Sequence, residues 1–330
     1  MMDYEIFKDV VTEKFLSYMP ESYQNMEVRV DPVEKINRKL DGLGFYMDGT
    51  RVMPSPNIYI SDMYKEYLGT GDLQETMQNA AEAMDRAFKQ AALPMLDKST
   101  ARDNIIFQLV NTMQNEDMLQ RIPHREFQDL SIIYRWVVSV DERGISSSVI
   151  NNNLARELGM GEEQLFKAAA ENTRRMLPPT VKSMNEVMRE MFLSDGMPPG
   201  VADLMTGEME PEQTMWIISN ECRISGAVSM LYEDKLHTLA EKVGRDLYIL
   251  PSSVHEVIAV SVDMGDPEEL AQIVAEINMD QVELGERLSN QVYHYDKGLR
   301  KITLTTNTPN KRLDGVVAGQ GHVYETKQSR

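Results

Sequence analysis

The sequence predicts an α+β protein, with mixed, mainly antiparallel sheets packed with amphipathic helices, in two units joined by a Met-rich helical connector. Three observations predict it. Strand-like apolar runs come in pairs around turn residues, as in Leu247 to Leu250 and Val257 to Val262 about Pro251-Ser252-Ser253. Amphipathic stretches carry their own start signals, Asp72 with Glu75 three residues on, and Asp266-Pro267-Glu268-Glu269. Between 179 and 214, methionines including Met184, Met188, Met191, Met205 and Met209 crowd into a helical stretch broken by Pro198, Pro199 and Pro211.

Tyr4 to Tyr18 is expected as a helix with Phe7, Val10, Val11 and Phe15 on one side, stopped by Pro20. Met26, Val28 and Val30 alternate as a strand ended by Pro32. Leu43 to Met47 is a second strand and Asn57 to Ile60 a third, after a loop holding Pro54 and Pro56. Asp72 to Ala91 is a helix with Leu73, Met77, Ala81, Met84 and Phe88 at helical spacing. Asn104 to Val110 and Leu130 to Val140 are strands separated by a polar connection over 122–129. Ser146 to Ile150 adds a short strand, followed by helices over Asn151 to Leu158 and Glu162 to Met176. Pro178-Pro179 then marks the main boundary. The division is an N-terminal α+β unit over 1–178, the Met-rich connector over 179–214, a C-terminal α/β sandwich over 215–306 and a loose polar tail over 307–330.

Within the sandwich, Met215 to Ser219 is a strand, and a helix lined by Val228, Leu236 and Val243 closes at Gly244. The 247–262 hairpin follows. A helix from Asp266 turns Leu270, Ile273, Val274 and Ile277 to the core, and Gln291 to Tyr295 with Leu299 to Thr305 forms a last hairpin around Asp296-Lys297-Gly298.

The net charge of −18 is concentrated in 201–290, where 18 acids face 5 basic residues. An acidic chain repels phosphate backbones, so direct nucleic-acid binding is not expected. The acidity serves solubility, or an acidic face for a basic partner. No apolar run reaches the ~18 residues of a membrane span. The opening MMDYEIFKDVVTEKF lacks a basic segment followed by an apolar core, and reads as a helix and not a signal peptide. Cys222, the one cysteine, forms no intrachain disulfide and is expected as a buried, inert thiol. A cytoplasmic protein is the expectation.

Several stretches resemble an uncharacterised bacterial family, a domain of unknown function found mainly in clostridial gut bacteria and their mobile elements. They are IPHREFQDLSIIYRWVV, EEQLFKAAAENT, PEQTMWIISNE, GAVSMLYEDKLHTLAEKVGRDLYILPSSVHEVIAVS and ERLSNQVYHYDKGLRKITL. The resemblance covers essentially the whole chain. It implies a bacterial, cytoplasmic protein and supplies no activity, substrate or catalytic residues.

Two polar clusters bear on chemistry. In the first, Ser252 or Ser253 with His255 and Glu256 offers a nucleophile, a base and an orienting acceptor. Neighbouring residues in a strand point to opposite faces, so only Ser253 and His255 can share one. The plain alternative is a turn whose hydroxyls cap backbone groups. In the second cluster, His124, Glu126 and Asp129 carry groups that suit a metal, but the spacing puts no three of them on one helical face. A loop histidine bonded to backbone is the plain alternative there. The candidate catalytic residues are thus His255, Ser253 and His124. Neither a Gly-x-x-x-x-Gly-Lys-Ser/Thr loop nor a Gly-x-Gly-x-x-Gly after a strand occurs, so no cofactor and no metal is expected. The leading expectation is a non-catalytic interaction or regulatory protein with a protein partner. The alternatives are a hydrolase or metal-assisted enzyme centred on His255 and His124, and an acidic anti-defence DNA mimic of a mobile element.

Overall fold

A computed structural model describes residues 1–52, 58–90, 100–141, 144–207, 209–251, 253–308 and 312–315. The chain is α+β and forms two compact units, Met1–Asp97 and Lys98–Arg330. Pro178, where the sequence places the main boundary, lies inside the second unit.

The first unit runs α1 (Tyr4–Tyr18), β1 (Glu27–Lys35), β2 (Arg38–Met47), β3 (Thr50–Arg51), α2 (Ile60–Thr70) and α3 (Leu73–Gln90). The apolar stripe of α1 buries Phe7, Val11 and Phe15 against Leu43 and Phe45 of β2 and Met77 and Met84 of α3. Phe7 stacks on Tyr67 at 5.3 Å. β1 does not stop at Pro32, which pairs with Asp41 within a nine-residue strand. The order β1-β2-β3 makes β1 an edge strand, where a proline facing away from the ladder loses no hydrogen bond. The expected strand over Asn57 to Ile60 is shorter than expected, an antiparallel bridge of Tyr59 to Gly42 with Ile58 O accepting from Leu43 N–H at 2.9 Å. Asn57 lies outside the described residues, and Ile60 opens α2, burying Ile60, Met63 and Tyr67 at helical spacing.

The second unit holds two antiparallel sheets. The smaller contains β4 (Ile105–Asn111), β5 (His124–Phe127), β6 (Leu130–Asp141) and β7 (Gly144–Val149), with β6 pairing all three others. A short α4 (Glu116–Leu119) joins β4 to β5, and α5 (Asn152–Glu157) leads into α6 (Glu162–Met176). The expected polar connection over 122–129 is therefore partly a strand. The larger sheet has the order β13-β12-β10-β11-β9-β8, built from β8 (Pro179–Ser183), β9 (Trp216–Asn220), β10 (Leu247–Leu250), β11 (Val257–Ser261), β12 (Tyr293–Asp296) and β13 (Lys301–Leu304). The expected connector supplies the edge strand β8 and the helices α7 (Met184–Ser194) and α8 (Pro199–Thr206) to this unit.

The helix over 228–243 begins later than expected, as α9 (Glu233–Val243) after a 3-10 turn at Gly226–Leu231, and ends on left-handed Gly244 at φ 78°. In α10 (Pro267–Gln281), Asp266 accepts from the N–H groups of Glu268 and Glu269, as expected of an N-cap. Its buried face, however, is Ala271, Val274 and Asn278, while Ile273 and Ile277 are exposed. Asn278 sets that phase, because its amide donates to Ser289 O and Asn290 Oδ1 beneath the helix. The start of the expected loose tail is docked instead. Leu313 is buried, its N–H donates to Gln114 Oε1 at 3.2 Å, and its carbonyl accepts from Arg287 Nη1 at 2.7 Å. Cys222 is exposed, not buried.

Candidate functional site

The loop between β10 and β11 brings the first polar cluster together, as a lock and not as a dyad. Ser253 Oγ accepts from the backbone N–H of His255 at 3.0 Å, so the hydroxyl caps its own turn. His255 Nδ1 accepts from Ser225 N–H at 3.3 Å, which places the neutral ring's proton on Nε2, 3.5 Å from Glu286 Oε1. His255 O accepts from Ser219 Oγ at 2.8 Å, Val254 O from Ala227 N–H at 3.2 Å, and Val254 N–H donates to Glu286 O at 2.8 Å. The loop thus holds three segments by backbone bonds. Ser252 lies outside the described residues.

His124 lies elsewhere, in β5. Period-two alternation puts His124 and Glu126 on one face. With Asp129 in the following turn, both line a cavity of about 570 Å³ that also takes in Asn111, Glu116 and Gln120. His124 Nδ1 donates to Ile122 O at 3.1 Å, leaving Nε2 as the acceptor. The partners of His124 and those of His255 share no residue. Among the described residues, no group of three or more His, Cys, Asp or Glu is arranged to hold a metal ion. Asp129 turns away into structure, taking hydrogen bonds from Ser289 Oγ at 2.6 Å and from the Tyr293 hydroxyl.

Arg125, on the opposite face of β5, is a residue the sequence reading passes over. It makes a two-pronged pair with Glu162 at the start of α6 (3.0 and 2.8 Å), a bond to Glu163 at 2.7 Å, and stacks 3.7 Å above the Phe166 ring. The Tyr134 hydroxyl also donates to Glu162. Burial pushes the Glu162 carboxyl up, but the bonds from Arg125 and Tyr134 outweigh it and hold the group below the ordinary carboxylate value. A carboxyl depressed on folding adds stability above its unfolded pKa of about 4.3, lost as the pH falls through the lower folded value. Glu162→Gln is therefore expected to lose about 1 kcal/mol at neutral pH and to flatten the decline in stability below about pH 4, read from urea unfolding at stepped pH.

The Met-rich segment presents a different kind of site. No residue of α7 is buried. In α8, Ala202 and Thr206 face inward, whereas Val201, Leu204 (85% exposed) and Met205 (60% exposed) share the outward face at the i, i+3, i+4 spacing. Met191 of α7 and Met209 and Met215 beyond α8 are exposed as well. Beside this surface opens a cavity of about 500 Å³ lined by Glu186, Asp203, Met209, Trp216 and Lys242 among others. Between 184 and 215 there are seven acids and one basic residue, Arg189. No helix among the described residues is long and apolar enough to cross a membrane. No curated protein and no solved structure matches the chain. The model of a family of unknown function, DUF5688, matches residues 4–297, and the chain belongs to that family.

Proposed function

We propose that the protein is a non-catalytic interaction or regulatory protein of the bacterial cytoplasm, and that the α7–α8 hairpin docks a basic amphipathic helix of a protein partner. The observation that carries this is the outward face of α8, where Val201, Leu204 and Met205 stand in solvent while Ala202 and Thr206 fill the contact below. Methionine suits such a surface because its unbranched, polarisable side chain repacks around different partners. The acid excess over 184–215 selects the sign of the partner, and the cavity beside Trp216 offers a seat for one of its side chains.

The alternatives have less support. Ser253 Oγ accepts from a backbone N–H, and among the described residues no base bonds to its hydroxyl to activate it. A DNA mimic needs a ridge of unpaired carboxylates spaced like phosphates. Here Asp203 pairs with Arg189, Glu190 with Lys182 and Arg223, Asp234 with Arg174, and Glu233 with Arg300.

The test is a titration of the full chain with a synthetic Leu/Lys amphipathic helix and with its Leu/Glu counterpart, followed by methionine-methyl NMR. Shifts are expected at Met191, Met205 and Met209 with the basic peptide, and binding at least about tenfold weaker with the acidic one. Replacing Met191, Leu204 and Met205 together by Ser is expected to weaken binding about 100-fold with little change in melting temperature, since all three are exposed. Undiminished binding by that variant, or shifts confined to another surface, sinks the reading.

A further inference from the structure

We propose that the face of the smaller sheet opposite α6 holds a binding site for a small aliphatic carboxylate, with Arg135 as its anion-binding group. α6 covers the other face, where Phe107 N–H donates to Thr173 Oγ1 at 2.8 Å and Phe107 packs on Phe166. Alternation along β4 sends Ile106 and Gln108 the opposite way. Ile106 pairs in register with Arg135 of β6, and Ser147 of β7 lies diagonally across from it. These side chains line a cavity of about 210 Å³. Its walls are aliphatic, from Ile106, Ile145, Leu177 and Ile224, and its polar groups are Gln108, Arg135, Ser147 and Ser225.

Arg135 is the anomaly that points to a ligand. Its guanidinium donates to Gln108 Oε1 at 3.1 Å, to Ser147 Oγ at 2.8 Å and to Ser147 O at 2.8 Å, all uncharged acceptors. Five N–H groups less three bonds leave two, one on each Nη nitrogen, the fork that fits a carboxylate. Among the described residues no carboxylate pairs with it, in contrast to Arg125, Arg174, Arg189 and Arg300. Burial pushes its pKa down, and no acid among the described residues pushes it back up. A cation withdrawn from water without a counter-ion is costly, and an anion in the cavity relieves that cost.

Further donors converge there. Arg135 only donates, so the Gln108 amide must turn its oxygen toward it, which leaves Nε2 without a protein partner among the described residues. The Ser147 hydroxyl accepts from Arg135 and retains its own proton to donate. Among the described residues, the cavity lining has one cation and no acid. A single negative charge therefore fits better than a phosphate dianion, and an amino acid finds no carboxylate among the described residues to pair with its ammonium group. The four aliphatic walls fit a short branched hydrocarbon body. Ser225, in the left-handed region at φ 51°, is held in the wall by the bond from its N–H to His255 Nδ1. His255 is thus a positioning residue for this site.

The experiment titrates the full chain with isovalerate, isovaleramide and inorganic phosphate, following the Arg135 Nε–H resonance and the isoleucine methyls by NMR. Isovalerate is expected to bind with a Kd of about 1 mM or tighter and to move both sets of signals. The amide, isosteric but uncharged, should bind at least about tenfold more weakly. Arg135→Met should show the same loss. Ile145→Phe fills the cavity while sparing Arg135 and should abolish binding, which keeps the test decisive if Arg135→Met does not fold. His255→Ala should weaken binding, and His255→Asn, which keeps an acceptor near the Nδ1 position, should restore it. Equal binding of amide and acid, phosphate binding as tightly as isovalerate, undiminished binding by Ile145→Phe, or no binding at all overturns the proposal.

Discussion

Gly226→Ala is expected to cost the second unit about 3 kcal/mol or more, lowering its melting temperature by roughly 6–12 °C. The reason is a close approach of three chain segments. A Cβ at position 226 would lie 2.2 Å from Ser219 Oγ, 2.4 Å from His255 O and 2.9 Å from Asn220 N, and two of those atoms are backbone. Neither backbone atom can retreat cheaply. His255 O accepts from Ser219 Oγ, and the next residue, Ala227, is tied by its N–H to Val254 O. Relief requires breaking the lock between the β10–β11 loop and the 219–227 turn. Gly200→Ala supplies the contrast, because nothing lies within 4 Å of the added methyl on α8. That change should be neutral or stabilising by up to about 1 kcal/mol. Differential scanning calorimetry on both variants decides. A Gly226→Ala protein melting within about 2 °C of the parent would show that the three segments are not held as described.

The same loop shows what could be read from residues and what could not. The hairpin over 247–261 was legible because its apolar runs and its Pro-Ser-Ser break are local signals. The N-cap at Asp266 was legible for the same reason. The role of His255 was not, since its partners come from two distant stretches of the chain, Ser219 and Ser225 from one turn and Glu286 from another. A crowd of polar groups looks alike in sequence whether it faces a substrate or backbone. β5 escaped notice because its alternation, His124 and Glu126 against Arg125 and Phe127, is almost wholly polar, so no hydrophobic period marks it. In α10 two of the four expected core residues, Leu270 and Val274, face the core, and Ile273 and Ile277 do not. Asn278 Nδ2 reaches two acceptors below the helix, and turning the helix to make those bonds leaves Ile273 and Ile277 in water. Arg135 did leave a trace in LSIIYRWVV, as the one charge on the strand face it shares with Ile133 and Val137. A cation on a strand face with no other charge asks for a partner, and that question can be put to the sequence alone.

Asp129→Ala should be the second large effect, at about 2–4 kcal/mol. Asp129 sits in the turn between β5 and β6, yet its carboxylate serves the larger sheet. It accepts from Ser289 Oγ and from the hydroxyl of Tyr293, whose residues are both fully buried. Burial first, and then the charge of Asp129, push the Tyr293 phenol well above its ordinary value, so the hydroxyl stays protonated and must donate. Removing the carboxylate takes the shared acceptor from two buried donors, and an unmade buried hydrogen bond costs more than a made one contributes. The neighbouring Gln128 works the same joint, since its Oε1 accepts from Leu304 N–H at 3.0 Å. Tyr293→Phe removes one of the two donors and should cost less than Asp129→Ala. In the Asp129→Ala background the same change should be nearly neutral, so a double-mutant cycle by urea unfolding should return a coupling of about 1 kcal/mol or more. Additive costs, or a loss below about 0.5 kcal/mol for Asp129→Ala, would mean that this turn does not carry the contact between the two sheets. The cavity beside His124 would then lose the anchor of one wall, since Asp129 lines it too.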